Sequence, residues 1–296
     1  MINIFISKDF KEYELLDTGE GEKLERFGPY SFIRPYENAV WKKTLKNEWK
    51  NADGKFYSSK KGEKAGWKIK REIPKKWEMS YGEIKFYASP TAFRHLSFFP
   101  EQSAHWDLIQ SSIQNAVQKK SRNIKFLNLF GYTGVASLVA LQAGAEVTHV
   151  DASKQSLTLA KENQKLSGLE DKPMRVIEED VLKFLEREER RGNKYDCVIM
   201  DPPKFGKGPK GEIWKIEEKL NTLLERVRKV LSDKPIFIIL TSYSTDSSSL
   251  SLGYALSDVM KDLKGEVIGG ELCVKEKTKG RFISLANTAV WQNKEI

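Results

Sequence analysis

From residue 124 onward, short apolar runs alternate with amphipathic stretches: IKFLNLF then VASLVALQAG, EVTHVD then SKQSLTLAKENQKLSG, MRVIEE then DVLKFLEREERRG. That rhythm leaves few architectures open, because strands joined through helical crossovers run parallel and need helices on both faces of their sheet. YDCVIMD, EIWKIEEKLNTLLERVRKVL, PIFIILTS and SLSLGYALSDVMKDL continue it, and GEVIGGELCV with RFISLANTAVW closes it. The pattern predicts a mostly parallel, doubly wound α/β sheet with an antiparallel end. Trp106, Ile109, Ile113, Ala116 and Val117 lie at near-helical spacing, so a helix opens this domain. Before about residue 88 the pattern is one of short extended runs broken by Gly, Pro, Asn and Asp, as in YELLDTGEGEK, RFGPYSFIRP and NADGKFY. This reads as a small β-rich N-terminal domain. The expected division is therefore 1–88 and 89–296.

Charge is concentrated in one place. The 296 residues carry a net +9, and residues 41–80 alone hold 13 Lys and Arg against 5 Asp and Glu. The same stretch interleaves Trp41, Trp49, Phe56, Tyr57, Trp67 and Trp77 with Lys42, Lys43, Lys60, Lys61, Lys64, Lys68, Lys70, Arg71, Lys75 and Lys76. Cations suit phosphates and flat rings suit unpaired bases, which makes the segment a candidate RNA contact. The same tryptophans also suit the core of a small β domain with its lysines in solvent. Both readings stand on the sequence. No apolar run approaches the roughly 18 to 20 residues of a membrane span, and MINIFISKDF lacks a basic start or cleavage signature. Cys197 and Cys273 stand apart from each other and from His95, His105 and His149, at neither disulfide nor zinc spacing. A cytoplasmic protein with no membrane contact and no metal is expected.

Ligands of open α/β sheets sit at the carboxyl ends of the strands, so the first strand-to-helix turn is the place to look. It reads Phe130-Gly131-Tyr132-Thr133-Gly134. Glycines there permit a tight turn and a close approach of ligand to backbone. Asp151 follows at the end of the next apolar strand, placed to accept hydrogen bonds from both hydroxyls of a ribose. Asp180 follows the third strand, a candidate acceptor for the exocyclic amine of an adenine. Leu129 stands where a dinucleotide fingerprint needs its first glycine, and no phosphate-cradling G-x-x-x-x-G-K-[ST] loop occurs. An adenosine ligand without phosphates, S-adenosylmethionine, fits this pattern; a nicotinamide dinucleotide does not. Singly, each residue has an ordinary structural use, an Asp or Ser153 after a strand being a common helix N-cap.

After the fourth strand comes Asp201-Pro202-Pro203-Lys204-Phe205. Two prolines fix the backbone and remove their own amide donors, leaving carbonyls and the Asp201 carboxylate as acceptors. An exocyclic amine fits such a site, with Phe205 stacked on its base. These residues resemble the class I S-adenosylmethionine-dependent methyltransferases, in particular the bacterial branch that includes large-subunit ribosomal RNA methyltransferases. NLFGYTG, VDAS, EEDVLKFL and DPPKFG are similar to that branch's successive motifs. Pro90-Thr91-Ala92-Phe93-Arg94-His95 and Phe98-Phe99-Pro100-Glu101-Gln102 resemble its stretch over the cofactor's methionine end. The resemblance covers about residues 86–296 and implies a Rossmann-like methyltransferase sheet. It implies cofactor contacts from Phe99, Gln102, Phe130, Gly131, Tyr132, Thr133, Gly134, Asp151, Ala152, Ser153, Asp180, Val181 and Asp201, and catalytic roles for Asp201, Pro202, Pro203 and Phe205.

Cytosine-5 methyltransferases of this branch use a cysteine nucleophile after the fifth strand, where this sequence has Leu240-Thr241-Ser242-Tyr243-Ser244. Both cysteines read as packing residues. The chemistry expected is therefore methylation of a base nitrogen in ribosomal RNA, with Tyr243 a candidate for the substrate pocket. A methyltransferase of proteins or small molecules, and a non-catalytic RNA-binding protein on the same fold, stay open.

Overall fold

A computed structural model describes residues 2–7, 9–59, 64–119, 123–243 and 248–294. Lys60, Lys61 and Ser244, singled out above, lie outside the described residues. The chain forms two compact units, one of residues 1–5, 104–272 and 284–296, the other of residues 6–103 and 273–283. Compactness thus places residues 89–103 and 273–283 with the β-rich part, whereas the change of residue pattern sets the division at 88/89.

Strand β1 (Asn3–Phe5) belongs to the α/β unit, and the elements after it build the β-rich unit. These are β2 (Tyr13–Gly19), β3 (Glu22–Phe27), β4 (Tyr30–Pro35), α1 (Asn47–Asn51), β5 (Gly54–Tyr57) and β6 (Gly66–Ile69). The five strands form one sheet in chain order, and β7 (Trp77–Tyr81) and β8 (Ile84–Ala88) form a separate hairpin. Aromatic rings fill the core. Phe27, Phe32 and Phe86 are fully buried, Trp77 stacks on Phe32 at 5.7 Å, and Trp67 meets Phe32 and Phe56 edge-on. Trp49 is buried and donates to Asp17 Oδ2 at 2.7 Å. The indoles of Trp49 and Trp77 are thus core pieces, while Lys42, Lys64, Lys68, Lys70, Lys75 and Lys76 are exposed. Of the two uses open to these rings, packing claims Trp49, Trp77 and Phe56.

The α/β unit continues with α2 (Ser103–Lys119), β9 (Ile124–Leu129), α3 (Val135–Gln142), β10 (Ala145–Asp151), α4 (Lys154–Leu166), β11 (Met174–Glu178) and α5 (Val181–Arg190). Then come β12 (Cys197–Met200), β13 (Phe205–Lys207), β14 (Ile213–Lys215), α6 (Ile216–Lys229), β15 (Phe237–Ser242), α7 (Ser249–Met260), β16 (Gly265–Lys275) and β17 (Phe282–Asn293). Eight strands form one sheet in the order β1-β16-β17-β15-β12-β9-β10-β11. The strands from β15 to β11 run parallel, and β17 lies antiparallel to β15. This is the doubly wound sheet with an antiparallel end.

Burial explains the sequence rhythm. All four residues of β12 are buried, as a central strand covered on both faces requires. Helices α5, α6 and α7 press Phe184, Leu185, Leu223, Leu224, Leu252 and Leu256 onto Leu127, Leu129, Val198, Met200 and Leu240. Cys197 and Cys273 are buried and are not joined in a disulfide. Among the described residues no helix is long and apolar enough to cross a membrane, and no group of three or more His, Cys, Asp or Glu is placed to hold a metal.

Candidate active site at the carboxyl edge of the sheet

The chain enters the parallel sheet at β9, winds outward through β10 and β11, and returns to the other side of β9 as β12. The order reverses between β9 and β12. Above that switch point, where no crossover helix fills the space, an open α/β sheet offers a crevice. Phe130–Gly134 leaves β9 there and Asp201 leaves β12 there.

The glycine turn is bent back on itself. Phe130 and Tyr132 hold φ of 57° and 51°, a left-handed conformation that costs a non-glycine residue of order 1 kcal/mol. Gly134 takes φ 85° at the start of α3. Gly131 is needed for space, since a Cβ there would lie 2.3 Å from the ring of His149. That imidazole is fully buried under the turn, with Nδ1 2.9 Å from Ser137 Oγ, and Asn128 Nδ2 donates to the same hydroxyl at 2.9 Å. Burial lowers the His149 pKa to about 4, so the ring is neutral. From α4, Asn163 Nδ2 donates to the Thr133 carbonyl at 2.9 Å.

Three amides of the turn are spent inside the protein. Gly131 N donates to Val150 O, Gly134 N to Gly131 O, and Tyr132 N to Asp151 Oδ2 at 2.9 Å. A pyrophosphate would need those N–H groups turned outward. Asp151 Oδ1 accepts from Ser153 N at 2.8 Å. These amides hold the carboxylate at the carboxyl end of β10, where a ribose diol would be met. Burial raises its pKa from the ordinary carboxylate value, opposed by the amides of Ser153, Tyr132 and Ala152. Ser153 caps α4, accepting from Ser156 N. Next, Glu179 N donates to Asp151 O, and Asp180 caps α5 through one oxygen that accepts from Leu182 N and Lys183 N at 3.0 and 3.1 Å. Val181, the first residue of α5, is buried in the core.

After β12, Asp201 is half-buried, Pro202 buried and Phe205 55% exposed. The residue pattern does not announce the next element. Residues 205–215 fold as the antiparallel hairpin β13–β14, whose Trp214 is 4% exposed, donates to Pro203 O at 2.6 Å and meets Phe130 edge-on at 4.9 Å. The carbonyl of Pro203 is therefore turned to protein, and one indole links the Asp201 turn to the glycine turn. The α/β unit brings together the turns carrying Phe130, Gly131, Tyr132, Thr133, Gly134, Asp151, Ala152, Ser153, Asp180, Asp201 and Phe205. Phe99 and Gln102 fall in the β-rich unit, where Phe99 packs on His95 at 4.7 Å and Gln102 is buried in the 3-10 turn Pro100–Gln102. Sequence reasoning misses His149 and Trp214. A histidine inside an apolar strand reads as core, and Trp214 stands in EIWKIEEKL, whose period reads as helix.

Comparison with known proteins adds to this geometry. Residues 94–255 match the family described as conserved hypothetical protein 95. A solved structure of the SAM-dependent methyltransferase from Agrobacterium tumefaciens is 41% identical and covers 99% of this chain and 94% of its own, with a TM-score of 0.92. The ribosomal RNA large subunit methyltransferase I of Aeromonas salmonicida is 39% identical over 99 residues, and that of Klebsiella pneumoniae strain 342 is 36% identical over 99. These alignments cover 33% of this chain and 25% of each relative, so the chain spans about a quarter of the length of the curated relatives it matches.

Proposed function

We propose a substrate and a chemistry for a chain that belongs to the conserved hypothetical protein 95 family and to the S-adenosylmethionine-dependent methyltransferases: it methylates a base nitrogen in ribosomal RNA. One observation carries the cofactor reading, the inward commitment of the Gly131, Tyr132 and Gly134 amides beside the half-buried Asp151 carboxylate. Such a site receives a ribose and rejects a pyrophosphate. The residues present therefore fit S-adenosylmethionine, which when bound supplies an electrophilic methyl on a positively charged sulfur.

In this reading Asp151 accepts the ribose hydroxyls and the Phe130–Gly134 turn, with Ala152 and Ser153, shapes the wall around the sugar. The second oxygen of Asp180 takes the adenine amine, next to Val181. Asp201 accepts an N–H of the target amine and aligns its lone pair, Pro202 and Pro203 fix the turn, and Phe205 stacks on the base. Transfer to nitrogen then needs proximity, alignment and exclusion of water, and no protein nucleophile. The substrate rests on the match to ribosomal RNA methyltransferases and on the basic stretch 41–80, whose exposed lysines suit phosphates. A cytoplasmic location agrees with that substrate.

The test uses radiolabelled S-adenosylmethionine with total RNA from cells lacking the gene, beside RNA from wild-type cells. Label entering only the unmodified RNA is expected. Asp201→Ala should abolish transfer while cofactor affinity stays within a few-fold. Transfer to protein or metabolite fractions instead of RNA overturns the substrate, and unchanged turnover in the Asp201 variant overturns its role.

A further inference from the structure

The hairpin β13–β14 presents one of its faces to solvent. In its register Phe205 lies opposite Lys215, Gly206 opposite Trp214, and Lys207 opposite Ile213. Side chains alternate between the two faces of a strand, and directly opposed residues share a face. Phe205, Lys207, Ile213 and Lys215 therefore stand together on the outer face, and Gly206 and Trp214 on the inner. Burial agrees: Trp214 is 4% exposed, whereas Phe205 is 55% and Ile213 51% exposed, and both lysines are exposed. Two apolar side chains and two cations occupy this face in a diagonal pattern.

The hairpin is braced. Trp214 fastens it to Pro203 O and to Phe130. Its turn is closed by Gly208 N to Glu212 O and by Lys210 N to Glu212 Oε2, and Lys183 of α5 pairs with the same carboxylate at 2.5 Å. A side chain at Gly206 would touch Pro203 at 3.4 Å, so the inner face lies against the Asp201 turn. Exposed large apolar groups on an anchored element favour binding, because little order remains to be imposed when a partner arrives.

We propose that the outer face of this hairpin is a docking surface for the single-stranded RNA next to the methylated nucleotide, with Lys207 and Lys215 on its phosphates and Ile213 against a flanking base. The proposal rests on the ribosomal RNA reading above and names where the substrate is held. Charge complementarity selects the occupant. Lys207 is exposed, Lys215 is engaged only at the surface by Glu218 at 2.7 Å, and the face carries no carboxylate between its two cations. Alternating cations and apolar groups match the alternating phosphates and bases of an unpaired strand. The position next to Asp201 makes the surface continuous with the place where the target base would lie.

The experiment uses the full chain and a fluorescein-labelled, mixed-sequence RNA dodecamer, with affinity measured across a salt series. Lys207→Ala/Lys215→Ala should bind at least 10-fold more weakly at low salt and lower the log–log salt slope by about 1.4, the value for two lost phosphate contacts on a single strand. Ile213→Gln should weaken binding several-fold without moving the slope. The Lys→Arg pair should restore both, and cofactor affinity and melting temperature should hold in every variant. In the transfer assay the RNA KM of the double alanine variant should rise with kcat within two-fold. Wild-type protein that does not bind the dodecamer, or a double alanine variant with unchanged affinity and slope, overturns the surface. Wild-type protein that binds RNA through Lys207 and Lys215 yet labels none upholds the surface and defeats the proposed reaction. Labelling that is insensitive to both lysines does the reverse.

Discussion

Gly131 has no room for a side chain, and the neighbour that excludes one is itself locked. A Cβ there would stand 2.3 Å from the ring of His149, which is held by Ser137, which is held in turn by Asn128. A flexible neighbour would swing aside, but this ring is fully buried and bonded. Gly131→Ala must therefore displace the turn itself, at a cost of about 1 to 3 kcal/mol for forcing atoms into a packed site. The displacement also disturbs Tyr132 N, the donor that orients Asp151. Calorimetric titration with S-adenosylhomocysteine should show affinity falling at least 10-fold, and Gly131→Ala/His149→Ala, which opens the space, should regain part of it. Wild-type affinity in the single variant would contradict the role given to this contact.

Trp214 acts at the scale of the element, because its one ring joins β14, the Pro203 carbonyl and Phe130. Trp214→Ala should cost about 3 to 5 kcal/mol, as for other buried tryptophans. Trp214→Phe keeps most of the packing but leaves the Pro203 carbonyl without its donor, for about 1 kcal/mol. Because that carbonyl belongs to the Asp201 turn, the Phe variant should lose kcat several-fold with cofactor affinity unchanged; equal losses in both would mean that the indole serves stability alone. This hairpin also shows where legibility in the sequence ends. From β9 to α5 the strands and helices stand out, because apolar runs of five to seven residues and 3.6-residue periods are long enough to be counted. So do the turns bearing Gly131, Asp151, Asp180 and Asp201, since the fold puts ligands at strand ends. Three-residue strands such as β1, β13 and β14 have no period to count. Trp214 finds its partner 11 residues earlier, across a turn that only the folded chain closes.

Across the whole molecule, buried ionisable groups set how stability answers to pH. His105 and His149 are fully buried, and burial lowers them to about 3 and about 4; His95 falls to about 3 through burial and then the charges of Arg34, Arg94 and Lys23. In the unfolded chain each titrates near 6.5. As pH drops below that value the unfolded state binds protons that the folded state refuses, so stability falls until the folded pKa is reached. Each histidine contributes about 1.4 kcal/mol per pH unit in that window, so the two fully buried rings alone contribute about 3. Glu25 responds lower on the scale. Despite its burial, Arg34 and Lys23 hold its carboxylate at about 2, so its stabilisation is complete above about 4.5 and is lost as pH falls toward 2. Urea unfolding between pH 8 and 4.5 should therefore give a plateau above about pH 7 and a steep decline beginning below 6.5, before the carboxylates respond. His105→Phe isolates one share of it. The ring stays in contact with Phe5, Thr288 keeps Leu240 O as its acceptor, and the decline should flatten by about one proton's worth. A variant whose slope matches the wild type would mean that His105 is not neutral in the folded protein.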